Sequence, residues 1–248
     1  MNKIVVVGRG YIGSVIYKFL STSYPGVQLI SSAETSRVEG HVDCIVWASG
    51  NSSVFATNND PSGCLHSSCF LLLQALKKFS DKKWVYISSV STLGDFSPSQ
   101  KDSPEYLYGL HKKLAESYVI KHVRNLSIFR VAYLFGKGLR KNLFYDLKFG
   151  KKTIYLSPES TLRPINIEHL SASVKKSIEK EIFGIFNAGS RDSISVRQVL
   201  QLISDIKYTL KTERHIDQSA IDTSIFNDTF KSELSTLSLP AQLRSFFE

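Results

Sequence analysis

Lys3-Ile-Val-Val-Val-Gly8-Arg-Gly10-Tyr-Ile-Gly13-Ser14 is the stretch that decides how this chain folds. Ile4 to Val7 is an unbroken apolar run, as expected of a strand buried on both faces of a parallel sheet. Gly8, Gly10 and Gly13 follow it as G-x-G-x-x-G, and Ile12, Val15, Ile16 and Phe19 then recur at helical spacing. A strand, a glycine turn and a helix in that order give the three glycines meaning. They let the main chain approach a pyrophosphate, which the N–H groups and positive dipole end of the helix then hold. Gly8, Arg9, Gly10, Tyr11, Ile12 and Gly13 are therefore candidate dinucleotide ligands.

Outward from this unit, Val27 to Ile30 reads as a second strand. An NAD enzyme needs an acid at its end to hold the adenine ribose. Ser31 and Ser32 stand there instead, with Arg37 further on and Arg9 in the glycine turn. Hydroxyls and guanidinium groups suit a 2′-phosphate, so the pattern favours NADP(H) over NAD(H). Glu34 reverses that preference if it turns inward. Val42 to Ala48 is a third strand, with Ala48 at its cofactor end, and Ser49 to Gly63 a polar loop. The connection over residues 31–41 is barely long enough for a crossover. Leu65 to Phe79 is helical, Trp84 to Ser89 is a strand ending in hydroxyls, and residues 90–107 form a loop. A helix over Tyr108 and a strand at Leu126 to Val131 follow. This alternation predicts an α/β fold, a Rossmann-type doubly wound parallel sheet.

After about residue 134 the pattern loosens. A basic loop spans Gly136 to Lys141, and a short helix covers Asn142 to Phe149. Arg163 to Ile167 is a strand running into a helix from Glu168, Ile185 to Asn187 a strand, and Ser195 to Ile203 an amphipathic helix. The expected organisation is a dinucleotide-binding domain over 1–135 and a small substrate lobe over 136–248, with 168–205 returning to the first domain.

The chemistry sits in Tyr108-Gly-Leu-His-Lys112. On a helix, residues four apart lie one above the other. A phenol has a free pKa of about 10, and an ammonium beside it favours the phenolate. The pair is a candidate proton donor to a carbonyl becoming an alcohol. His111, inside the motif, reads as solvent-facing.

Composition sets bounds. Lys+Arg 31 against Asp+Glu 22 gives +9 over 248 residues, an attraction for anions without a nucleic-acid motif. Cys44, Cys64 and Cys69 make neither a disulfide framework nor a metal spacing. No leader and no membrane-length apolar run is visible, so a cytoplasmic, soluble protein is expected.

Together, the glycine turn, Ser89 at a strand end, and Tyr108 with Lys112 resemble the short-chain dehydrogenase/reductase family. The closer match is its extended branch of nucleotide-sugar epimerases, dehydratases and 4-keto-reductases. Tyr86-Ile-Ser-Ser89 with Gly94, Phe129 to Gly136, Arg163 to Leu170 and Phe186-Asn-Ala-Gly189 resemble further motifs of that branch. The resemblance implies that Tyr108 is the proton donor, and that Lys112 is its partner and a nicotinamide-ribose ligand. It also implies that Ser89 bonds the substrate oxygen, with Ser91 the runner-up. Arg163 resembles the arginine that meets a sugar-nucleotide diphosphate; Lys137, Arg140 and Lys141 are weaker candidates for the same anion. Dehydratases of the branch carry an acidic pair where Val90-Ser91 follows Ser89, which disfavours loss of water. The expectation is an NADPH-dependent reductase of a keto-sugar nucleotide. The alternatives are a 4-epimerase retaining NAD and a non-catalytic dinucleotide sensor. A homodimer is expected by analogy.

Overall fold

A computed structural model describes residues 3–149, 153–203 and 208–248. The chain runs β1 (Ile4–Val7), α1 (Tyr11–Ser21), β2 (Gln28–Ile30), β3 (Cys44–Trp47), α2 (Val54–Asn59), α3 (Pro61–Leu65), α4 (Leu71–Phe79), β4 (Lys83–Ser89), α5 (Tyr106–His122), β5 (Leu126–Val131) and β6 (Tyr133–Phe135). It continues with α6 (Leu143–Lys148), β7 (Thr153–Leu156), β8 (Thr161–Leu162), β9 (Pro164–Asn166), α7 (Ile167–Glu179), β10 (Gly184–Ala188), β11 (Ile194–Ser195), α8 (Val196–Leu202), β12 (Thr209–Arg214), α9 (Ser224–Thr229) and α10 (Leu239–Phe247). It divides into two compact units, Met1–Arg130 with Ser171–Phe186, and Val131–Leu170 with Asn187–Glu248.

The first unit is built on a six-stranded sheet in the order β10-β5-β4-β3-β1-β2. β1 is parallel to both β2 and β3, and β3 to β4. The fully buried β1 and β3 explain their unbroken apolar sequences. Trp47 and Trp84 stack with centroids 5.9 Å apart, and Leu72, Leu76, Val119 and Ile128 close around them. Burying one such aliphatic side chain is worth about 1.5–3 kcal/mol.

The short 31–41 connection needs only a 3₁₀ turn, Ser32–Arg37, closed by a capping box between Ser31 and Glu34. The expected loop after β3 is instead largely helical. Ser53 accepts the Ala56 N–H at 3.2 Å, and Asp60, followed by Pro61, accepts that of Gly63 at 3.0 Å. Both are helix-start signals. A wide π turn, His66–Phe70, joins α3 to α4.

The second unit holds three two-stranded pairings: β6 with β9, β7 with β12, and β8 with β11. Its aromatic core includes Phe135, Phe144, Phe226 and Phe230, all buried. Asn142, at φ 99°, caps α6 by accepting from the Phe144 and Tyr145 N–H groups. Among the described residues, no helix is long and apolar enough to cross a membrane, and no group of three or more His, Cys, Asp or Glu is placed to hold a metal.

Candidate active site

The glycine turn leaves β1 with Gly8 at φ 122°, and its amide reaches the Ile30 carbonyl of β2 at 2.8 Å. A Cβ at Gly8 would fall 2.6 Å from the Ala48 carbonyl oxygen, and one at Gly13 1.9 Å from that of Gly8. Neither position has room for a side chain. A Cβ at Gly10 would meet nothing within 4 Å, so the middle glycine faces open space. α1 starts on Gly10 with no side-chain cap and no acid in its first turn, where Tyr11 and Ile12 lie. That leaves its positive end open to an anion.

At the end of β2, Glu34 folds back. Its Oε2 accepts the Ser31 N–H at 2.6 Å and the Ser31 hydroxyl at 2.8 Å, and lies 3.0 Å from Arg9 Nη2. The Ser31 amide and hydroxyl, and then Arg9, hold this carboxyl below the usual carboxylate range. Ser32 opens the following turn, and Arg37 ends it exposed.

α5 carries Tyr108 and Lys112 one turn apart, as the spacing predicts, with Lys112 Nζ 5.8 Å from the Tyr108 ring centroid. The Tyr108 hydroxyl is hydrogen-bonded with Ser89. Ser89, in turn, donates to the Ser91 hydroxyl at 3.0 Å and accepts the Ser91 N–H at 3.2 Å. Gly109 permits this approach: a Cβ there would sit 2.6 Å from the Ser91 carbonyl oxygen. Lys112 is buried, and its Nζ is 3.7 Å from where a Cβ on Gly50 would lie. Gly50 is two residues past Ala48, which touches Gly8. The glycine turn, the end of β3, Lys112, Tyr108 and Ser89 thus form one continuous line along the carboxyl ends of the strands.

Two expectations change. Burial pushes the Tyr108 phenol above its ordinary value, against the smaller opposing effect of its bond to Ser89. The expected lowering gives way to a net rise, and the phenol is held protonated at neutral pH. His111 is buried, not solvent-facing, because it belongs to the packed stripe of α5 with Lys112, Ala115, Glu116 and Val119. Its carbonyl accepts from the Cys69 thiol at 3.6 Å, and burial lowers its imidazole pKa. Its Nδ1 has no hydrogen-bond partner among the described residues.

Sequence reasoning did not find a buried cluster behind α5, in which Glu116 bonds Ser88 and Arg130. A charged residue on the core face of a helix was the available signal.

Arg163 lies in the second unit with its guanidinium already engaged. Nε donates to the Gln218 carbonyl at 3.0 Å, Nη1 to Ser190 at 3.2 Å and to Arg191, and Nη2 to Ser219 at 2.8 Å. It clasps two loops of its own unit. Lys137, Arg140 and Lys141 are exposed. This unit also contains a cavity of about 500 Å³ edged by Asn166, His169, Asn227 and Gln242. A second, of about 250 Å³, lies among Tyr133, Asn142, Tyr155 and Arg214.

No protein-family model and no curated protein sequence matches the chain. Solved structures do. UDP-N-acetylglucosamine 4-epimerase from Methanobrevibacter ruminantium, in complex with UDP-N-acetylmuramic acid, superposes with a TM-score of 0.81 at 19% identity. The match covers 99% of this chain and 97% of that one. TunA, an NAD-dependent NDP-hexosamine 5,6-dehydratase of tunicamycin biosynthesis, gives 0.82 at 17% identity over 100% and 97% of the two chains. RMD from Pseudomonas aeruginosa, complexed with NADPH, gives 0.73 at 16% over 100% and 97%. The chain shares the fold of these structures, a Rossmann-type α/β architecture on a six-stranded sheet. TunA is NAD-dependent and RMD is complexed with NADPH, and the residues present here leave room for such a dinucleotide. The turn is free of side chains, an uncapped helix end faces the space beside Gly10, and Lys112 lies next to Gly50.

Proposed function

We propose that the chain is a nicotinamide-dependent oxidoreductase that reduces the keto carbon of a nucleotide-linked sugar. The reading is carried by the Tyr108 hydroxyl bonded to Ser89, with the Lys112 ammonium beside it and next to Gly50, past the end of β3. A reduced nicotinamide dinucleotide, when bound, would supply the hydride. Tyr108, held protonated by burial, gives its proton to the former carbonyl oxygen, so that ketone, hydride and proton balance to an alcohol. Ser89, by turning its hydroxyl proton from Ser91 to that oxygen, steadies it as its negative charge develops, and the Ser91 N–H keeps Ser89 in place. Lys112 stabilises the phenolate left behind. Gly10 and the first turn of α1, which begins with Tyr11 and Ile12, would hold the pyrophosphate, with Ala48 packed beside Gly8. No acid follows Ser89, so this site has no extra group for eliminating water.

Absorbance of added NADPH or NADH over a panel of 4-keto-sugar nucleotides tests the reading. Replacing Tyr108 by Phe should lower turnover by about 10²- to 10⁴-fold with dinucleotide binding retained. Parental turnover in that variant, or no turnover of any panel member by the parent, overturns it.

A second reading follows from Glu34. Its carboxylate occupies the place where the Ser31, Ser32, Arg9 and Arg37 pattern favoured a 2′-phosphate, which moves the preference from NADP(H) toward NAD(H). NAD retained through a reversible hydride transfer would make the same triad a 4-epimerase. NAD released from the denatured protein, with epimer formed and no net oxidation of added NADPH, distinguishes it.

A further inference from the structure

A helix face packed on a sheet ordinarily carries apolar side chains. That of α5 instead buries Lys112 and Glu116, the latter only 3% exposed. Glu116 is met from two strands. Ser88 of β4 donates its hydroxyl to Oε2 at 2.7 Å. Arg130 of β5 gives Nε to the two oxygens at 3.0 and 3.2 Å, and Nη2 to Oε1. Desolvating an ion pair consumes most of what pairing returns, and apolar groups of equal volume are often as stable or more so. Stability alone therefore does not account for the cluster.

Its location does. Ser88 immediately precedes Ser89, and Glu116 is one helical turn beyond Lys112. At the other end of the motif, Gly109 lies against the Ser91 carbonyl. These two attachments bracket Lys112. A slide of α5 by one residue, about 1.5 Å, would break both. We infer that Glu116, gripped by Ser88 and Arg130, is a positioning residue that sets the register of α5 on β4 and so aligns Tyr108 and Lys112 with Ser89. The kinetic part of its test rests on the oxidoreductase reading; the spectroscopic part does not.

Two variants test it, Glu116→Gln and the double variant Glu116→Leu/Arg130→Met. Melting temperature, kcat and KM are measured for each. So is the ¹³Cζ NMR titration of Tyr108 in tyrosine-labelled protein, assigned with Tyr108→Phe. The double variant should melt near or above the parent yet lose about 10- to 100-fold in kcat, with KM little changed. Glu116→Gln should lie between, and the Tyr108 titration should move in both. Parental kcat in a double variant that melts like the parent overturns the inference, and so does an unmoved Tyr108 titration. If the double variant does not fold, Glu116→Gln decides by the same readouts. If the parent turns over no substrate, the oxidoreductase reading fails, and the Tyr108 titration still decides the positioning role.

Discussion

Arg130→Met keeps an apolar stem of similar length and removes the guanidinium, leaving Glu116 with the Ser88 hydroxyl in a site where its side chain is 4% exposed. Breaking a buried pair by removing one partner costs about 3–5 kcal/mol. A ceiling applies, because the stranded carboxylate can take up a proton. A free glutamate has a pKa near 4.3 and each unit is worth about 1.36 kcal/mol, so escape by protonation costs roughly 4 kcal/mol at pH 7 and about 1 at pH 5. In the variant, the folded state takes up that proton more readily than the unfolded state. Its stability relative to the parent is therefore best at low pH and is lost as pH rises. Urea denaturation of both proteins at the two pH values should show a loss of about 3–4 kcal/mol at pH 7, shrinking by at least half at pH 5. An equal loss at both would show that no buried carboxylate was stranded.

Other expectations are open to direct measurement. Glu34→Gln removes the charge beside Ser31 and frees Arg9; the affinity ratio should move toward NADPH by about fivefold, and an unchanged ratio by fluorescence titration removes Glu34 from cofactor choice. Gly13→Ala would drive its Cβ into the Gly8 carbonyl and should lower both melting temperature and dinucleotide affinity. Gly10→Ala has room and should melt like the parent while binding dinucleotide more weakly; parental binding would place the pyrophosphate elsewhere. Burial pushes the Cys44 thiol up from 9.0 to about 12. The folded state thus keeps a proton that the unfolded state sheds, and stability falls as pH climbs through that window. Cys44→Ala should flatten the alkaline limb of the stability curve, and an unaltered slope would refute the assignment.

The parts of the fold readable in the sequence were those specified by local patterns. The apolar runs of β1 and β3, the glycine turn and the 3.6-residue period of α1 each need only neighbouring residues to be recognised. Tyr108 and Lys112 were legible for the same reason. His111 was misplaced because its burial is decided by the wide turn at His66–Phe70, whose Cys69 reaches its carbonyl, and not by its neighbours in α5. Glu34 was undecidable until the turn after β2 folded its carboxylate onto Ser31. Arg163 carried a motif-like context, but its bonds go to carbonyls some 27 to 56 positions away in the chain. Ser53 and Asp60 were overlooked as helix starts because the helices they open, of six and five residues, are too short to show a helical period.

The wide turn at His66–Phe70 holds one more residue than an α-helical turn would. Ser68, within it, accepts the Asn51 N–H at 3.2 Å and lies beside Gly50, next to Lys112. Deleting a single amino acid there would rewind the segment into ordinary helix and shift Ser68, while the flanking helices keep nearly the same facing, because the wide turn sweeps about the same angle with one residue more. Gains and losses of one codon at this point give evolution a way to re-aim the wall behind Lys112 while every strand of the sheet stays where it is.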